Sequence, residues 1–342
     1  MYKVTICGHF GGNKEFFDGQ TVKTKNLYKA LVNKYGNEQI NKIDTYNWKK
    51  HPLKMILNCI KASKNSENIV ILTAYNGIKV FIPFFVFLNK KRKFNLFYDV
   101  VGGWLPSFIK NKNYLIKNLK KFDKIFVETT KMKNDLENMG FNNIDKLVNF
   151  KIIDPIETKD LCFEFNKPFP ICTFSRVMKE KGIEDLIDVL KKINEKEIVY
   201  TLDIYGPIDN NYEDNFEKLK NNFPEYIKYK GCIDSNLSTH VLKNYYLLIF
   251  PTRFKTEGIP GTIIDSYFSG VPVIASNWEN VCDIVIDNKT GYIYNMFDNN
   301  ELENKLLYCL DKKNVISLKE NVLVNAKKYS SDAITKLTKY FK

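Results

Sequence analysis

The stretch "FKTEGIPGTIIDSYFSGVPVIAS", residues 254–276, sets an acid and a Gly-Pro turn ahead of a helix-like run and a short apolar strand. Ile263, Ile264, Tyr267 and Phe268 give the run one apolar face, as a helix packed on a sheet requires. Pro260 suits the first turn, where a missing N–H costs nothing. The N–H groups of Gly261, Thr262 and Ile263 are then expected to face an anion, with the helix dipole behind them. Glu257 precedes this helix and Asp265 lies about one turn into it. Carboxylates accept from vicinal hydroxyls while a helix end takes phosphate. The ligand expected here is therefore part diphosphate and part polyol, which describes a nucleotide-sugar.

Two further loops supply what a diphosphate needs. In "FSRVMKEKG", residues 174–182, Arg176 follows a strand and Lys181 stands at the start of a helix. Two cations at that place make a diphosphate clamp. The chain has 52 Lys and Arg, of which only Arg92, Arg176 and Arg253 are arginine. An arginine that survives such a bias points to a need for a planar, multi-donor head. Gly206 in "IYGPI" closes another strand where a backbone or ligand comes close.

Strand–loop–helix units repeat along the whole chain, which predicts parallel sheets. In the first half, strands are expected at 3–8, 68–74, 94–103 and 124–129. One helix is expected through 105–122. Residues 150–170, with three prolines and no helical period, read as a linker. The second half shows strands at 171–175, 198–206, 227–231, 246–251, 272–276 and 291–294, with helices between most of them. The expected division is 1–165 and 166–326, with a helix about 327–342 returning to the first domain. Two open α/β domains leave a cleft, and ligands of such sheets bind beyond the strand carboxyl ends.

Composition narrows the partners. Residues 1–165 hold 28 Lys and Arg against 15 Asp and Glu, so the net charge of +13 lies entirely in the first half. That asymmetry calls for an anionic ligand or surface. The seven cysteines form no CxxC pair and no metal spacing with His9, His51 or His240, so reduced thiols are expected and neither a zinc site nor a disulfide framework. The longest apolar run, Val80–Leu88, is too short to span a bilayer. The opening "MYKVTICGHFGG" runs straight into a strand with no basic-then-apolar leader, so no secretory signal is expected.

The combination "FSRVMKEKGIEDLI", "YGP" and "FPTRFKTEGIPGTIIDSYFSGVPVIAS" resembles the GT4 family of retaining glycosyltransferases with the GT-B fold, in order and spacing across most of 171–295. "GHFGGNKEFFDGQTVKTKNL" resembles the Gly-rich loop and helix of bacterial capsule and cell-surface polysaccharide members, and Asn149 stands where the family has an Asn before its linker. The resemblance implies two Rossmann-like domains and transfer of a sugar, most often from a UDP-sugar, with retention of configuration. It implies Arg176 and Lys181 on the donor diphosphate and Glu257 on the sugar hydroxyls. Backbone groups from Gly258 through Ile259, Pro260 and Gly261 to Thr262 would line the donor. Asp265, where the family has Glu, would face the ribose. Gly12, beside Gly11, would approach the phosphates from the first domain. Asp99, Gly102 and Gly103 would line the acceptor side. No cofactor and no metal are implied, and no Asp-x-Asp occurs near the site.

The acceptor that the resemblance implies is a glycan or polyprenyl-diphosphate-linked glycan at the cytoplasmic leaflet. "FLNKKRKF", holding Arg92, and the lysine-rich 105–122 segment then fit peripheral contact with anionic lipid. A cytoplasmic protein touching the inner face of the membrane is expected. Three other readings stand against this one. An oxidoreductase is disfavoured because the first loop lacks GxGxxG. A nucleic-acid binder is disfavoured because no recognition motif accompanies the charge. A catalytically inactive scaffold on the same fold is disfavoured by the intact Arg176, Lys181 and Glu257.

Overall fold

The computed structural model describes residues 1–14, 16, 18–91, 93–234 and 237–342. Arg92, and Glu15 and Phe17 of the Gly-rich segment, lie outside the described residues. The chain divides into two compact units, one of Met1–Ile152 with Tyr329–Lys342 and one of Ile153–Lys328.

The first unit runs β1 (Tyr2–Gly8), α1 (Gly19–Tyr35), β2 (Ile40–Asp44), α2 (Pro52–Asn65), β3 (Ser66–Leu72), α3 (Asn76–Leu88), β4 (Asn95–Asp99), α4 (Leu105–Ile109), α5 (Asn113–Leu119), β5 (Lys124–Val127), α6 (Thr130–Asn138) and β6 (Ile144–Lys146). Its strands form one parallel sheet in the order β2-β1-β3-β4-β5-β6. The inner strands β1, β3, β4 and β5 are largely buried on both faces because helices cover both. Residues of α2 through α6 share one core with Ile69, Ile71 and Ile125. Leu27 and Leu31 of α1 share the other with Ile334 and Leu337 of the C-terminal segment.

The second unit runs β7 (Phe169–Phe174), α7 (Ile183–Ile193), β8 (Tyr200–Tyr205), α8 (Glu213–Lys220), β9 (Ile227–Gly231), α9 (Ser238–Leu242), β10 (Leu247–Phe250), α10 (Gly261–Phe268), β11 (Val273–Ser276), β12 (Gly291–Tyr294), α11 (Asn299–Tyr308) and α12 (Lys313–Ala326). Its sheet is parallel in the order β12-β11-β10-β7-β8-β9. The order reverses between β7 and β10, so the loops leaving these two strands part and open a crevice. The stripe Ile183, Leu186, Ile187 and Leu190 is buried against this sheet, as the period of α7 requires.

Three local differences from the sequence reading have plain causes. The segment 105–122 is two helices, broken at Lys110–Lys112, where Lys112 leaves helical backbone (φ −120°, ψ 69°). β2 and α2 went unread because β2 is a five-residue strand at the sheet edge, too short for a pattern. Residues 153–165 belong with the second unit. The Ile156 N–H donates to the Phe268 carbonyl at 2.8 Å, and Phe165 packs into the second core.

Candidate functional site

The reversal of strand order in the second sheet puts Ser175–Gly182, after β7, beside Pro251–Pro260, after β10. Two glycines make the approach possible. At Gly206 (φ +129°) a Cβ would sit 1.8 Å from the Ser175 carbonyl oxygen. At Gly182 (φ +66°) it would sit 2.0 Å from the Pro251 carbonyl oxygen. Both positions combine a backbone open to glycine with a contact that no side chain survives.

These loops bring Lys181 and Glu257, 76 residues apart, into a direct salt bridge. The Glu257 carboxylate also accepts from Thr252 Oγ1 at 3.2 Å, and its carbonyl accepts from Asn280 Nδ2 at 2.6 Å. The pair is 14% and 19% exposed, enough for a ligand to reach it. Arg176 is more open, 46% exposed, and lies 3.6 Å from Asp209. A rim pair of this kind is weak enough to yield to a phosphate.

α10 opens toward the same loops. Its N-cap is Pro260, with no side-chain cap. The Ile263 N–H, expected to be spare, instead donates to the Pro260 carbonyl at 3.1 Å. Gly261 and Thr262 keep the donors that the first turn leaves over. Thr262 Oγ1 is buried without a partner among the described residues. Asp265 is buried at 5% exposure on the second turn. Arg253, the third arginine, uses its planar head on a carboxylate and not on a phosphate. Its Nε and Nη2 donate to Asp185 at 2.9 and 2.5 Å, pinning α7 to the loop after β10.

In the first unit Gly12 and Asp99 are held by protein partners. Gly12, which the resemblance sets toward the phosphates, donates its N–H to Asp44 Oδ2 at 2.8 Å. Asp44 Oδ1 accepts from Phe10 N and Tyr46 N, both at 2.9 Å, so one side chain fixes the whole Gly-rich turn. Asp99, expected to line the acceptor side, is fully buried at the end of β4. Its Oδ1 accepts from Lys23 Nζ at 2.7 Å, and Lys23 also donates to the Val100 carbonyl at 2.9 Å and Glu128 Oε1 at 3.1 Å. Burial pushes the Asp99 carboxyl up to about 6, against the pull of Lys23. Burial also works against charge on Lys23, but Asp99 and Glu128 more than offset it and hold the ammonium above its ordinary range. Through Val100 this cluster anchors the loop that carries the half-buried Gly102 and Gly103.

His9 Nδ1 lies 2.7 Å from Thr21 Oγ1, whose proton goes to Asp18 Oδ2 at 2.7 Å. Thr21 therefore accepts from His9, so the neutral ring carries its proton on Nδ1 and leaves Nε2 as acceptor. The edges of Phe16 and Tyr46 flank the ring at 5.1 and 5.6 Å between centroids. Among the described residues no group of three or more His, Cys, Asp or Glu is placed to hold a metal ion.

With this geometry in hand, comparison with known proteins is direct. The sequence model of the family described as glycosyl transferases group 1 matches residues 162–329. The poly(ribitol-phosphate) alpha-N-acetylglucosaminyltransferase of Staphylococcus aureus is 23% identical over 67% of this chain and 45% of its own length. The capsular polysaccharide biosynthesis glycosyltransferase CapM of Staphylococcus aureus is 26% identical over 48% of this chain and 41% of its own. The chain thus spans about half the length of the curated relatives it matches. Among solved structures, Anabaena HepE in complex with UDP superposes with a TM-score of 0.77 at 13% identity, covering 99% of this chain and 98% of that one. TarM superposes with a TM-score of 0.66 at 20% identity, covering 83% and 57%. At these identities the superpositions establish the fold, two parallel α/β sheets of GT-B type. Residues 162–329, which carry Arg176, Lys181 and Glu257, match the glycosyl transferases group 1 family.

Proposed function

We propose that the chain is a retaining glycosyltransferase. It moves a sugar from a nucleotide-diphosphate sugar, with UDP as the nucleotide, to a glycan or polyprenyl-diphosphate-linked acceptor in surface polysaccharide synthesis. The observation that carries this reading is the meeting of Arg176, the Lys181–Glu257 pair and the N-terminus of α10 at the strand-order reversal of the second sheet. Cations and helix donors suit the diphosphate, and Glu257 suits sugar hydroxyls. Support comes also from relatives named as capsule and wall glycosyltransferases and from a like-folded protein holding UDP.

In the reaction the bond between the anomeric carbon and the diphosphate oxygen breaks. The acceptor hydroxyl bonds to that carbon on the same face, and its proton passes to the departing phosphate. Negative charge grows on the diphosphate, so Arg176, Lys181 and the α10 end act by fixed electrostatic stabilisation. Lys181 is then shared between Glu257 and the phosphate. In this mechanism the positive charge comes from these groups and not from a metal.

A thermal-shift comparison of wild type and Arg176→Ala against UDP, GDP, ADP and their sugars tests the clamp. With UDP at about a hundred times its dissociation constant, roughly 2.7 kcal/mol of stabilisation is expected, largely lost in Arg176→Ala. No shift with any nucleotide would instead favour an inactive scaffold.

The same reading includes peripheral contact with anionic lipid. No described helix is long and apolar enough to cross a membrane. Support for surface contact comes from α2, where Leu53, Ile56 and Leu57 are exposed among Lys50, Lys54 and Lys61, and from α3, where Phe87 is exposed beneath Lys90. Sedimentation with phosphatidylglycerol vesicles should drop sharply for Leu53→Glu with Leu57→Glu. Equal sedimentation of variant and wild type removes this contact from the proposal.

A further inference from the structure

A second concavity opens at the carboxyl ends of β10, β11 and β12, with a volume of about 470 Å³. That is within the range of small-molecule sites, roughly 300–1,000 Å³. Lys255, Asn277, Trp278, Glu279, Met296 and Phe297 line it. None of these residues is part of the diphosphate clamp. The two places are nonetheless tied by backbone. The Glu279 N–H donates to the Lys255 carbonyl at 3.2 Å, and the neighbouring Asn280 holds the Glu257 carbonyl.

Phe297 is the unusual residue. It is 63% exposed and sits at φ +70°, a conformation that a bulky side chain rarely adopts. The ring is also supported, with the Arg253 guanidinium 5.8 Å from its centroid. Arg253 is itself locked to Asp185. A strained, exposed and braced aromatic ring is what a stacking platform needs, and backbone strain of this kind collects at ligand sites. Behind it Trp278 is 1% exposed and packs edge-on against Phe250 at 5.5 Å, so the floor is rigid. The Trp278 indole N–H is buried with no acceptor among the described residues.

The rim decides the class of ligand. A purely apolar guest would strip water from the Lys255 ammonium and the Glu279 carboxylate without replacing it. A phosphate would face Glu279. A neutral sugar ring fits both features, since its C–H face stacks on Phe297 while its hydroxyls reach the carboxylate, the Asn277 amide and the ammonium. We propose that this pocket is a saccharide subsite that holds a neutral sugar unit of the acceptor glycan next to the Glu257 loop. The choice of a glycan rests on the glycosyltransferase reading of that loop.

Saturation-transfer NMR tests the subsite on the full chain, with glucose, galactose, N-acetylglucosamine, maltose and chitobiose as probes and UDP present in excess. At least one probe should receive saturation from wild type. The effect should fall at least about fivefold in Phe297→Ala and persist in Phe297→Trp, with the thermal shift by UDP equal in all three. Phe297 is exposed, so both variants should fold. Transfer to none of the sugars, or transfer unchanged in Phe297→Ala, overturns the subsite. If wild type shows no UDP shift but Phe297-dependent sugar transfer, the donor reading fails while the subsite stands.

Discussion

Each unit places a lysine against acids at the carboxyl ends of a parallel sheet, and burial separates the two clusters. Lys23, Asp99 and Glu128 in the first unit are 1%, 0% and 2% exposed. Lys181 and Glu257 in the second are 14% and 19% exposed. In the sealed cluster every hydrogen bond of Lys23 goes to protein, so it can only hold β4, β5 and α1 together. In the open pair solvent or a ligand can replace either partner. The same residue types thus serve architecture in one sheet and ligand binding in the other, and access to the surface makes the difference.

Breaking the sealed cluster should have the largest effect. Lys23→Met takes the ammonium away from the buried Asp99 carboxylate, a loss of about 3–5 kcal/mol. Chemical denaturation should show it as a lowered midpoint whether or not nucleotide is present. Opening the other pair should act on turnover. Glu257→Gln should lower transfer from a UDP-sugar about 10²–10³-fold, the scale of a lost transition-state contact, with a melting temperature close to wild type. If the two variants lose stability equally, the contrast between sealed and open clusters fails.

Lys319 sharpens the contrast, because it is buried with no salt bridge to an acid among the described residues. It is 1% exposed, lies 3.3 Å from the Gly270 carbonyl, and has the Phe165 ring centroid 4.9 Å from its ammonium. Burial pulls its ammonium down to about 8. A folded value below the unfolded one means that folding releases a proton between the two. Its cost is therefore complete below about pH 8 and fades as pH rises to the ordinary lysine range near 10.4. Lys319→Met should stabilise the protein at pH 7 by about 1–3 kcal/mol, less the lost hydrogen bond, with the gain shrinking toward pH 10. Denaturant midpoints of the two proteins from pH 7 to 10 check the sign. A gain that grows with pH would contradict it.

Much of the candidate donor site was legible because its signals are local. Pro260, Gly261 and the apolar stripe of α10 fall within one short stretch, and Arg176 and Lys181 lie in another. Arg253 shows where such reading stops. Its rarity was legible, but its bidentate partner Asp185 is 68 residues away, and only packing of α7 beside β10 joins them. Lys23 is likewise one lysine among many in the sequence. Asp99 and Glu128 are 76 and 105 residues from it. The hold on Gly12 is non-local for the same reason, since Asp44, which takes its N–H, comes from the next strand.

What the sequence determined by itself is therefore the periodic part: alternating strands and helices, parallel sheets, a helix opened by Pro260, and a basic first half. Those follow from backbone sterics, side-chain period and turn chemistry, which act over a few residues. Tertiary structure alone decided which charges are sealed and which remain accessible. It also decided which N–H groups are already spent, and that Phe297 stands strained at the rim of a second pocket. Those properties depend on strand order and burial, and they are set by residues that meet only when the sheet assembles.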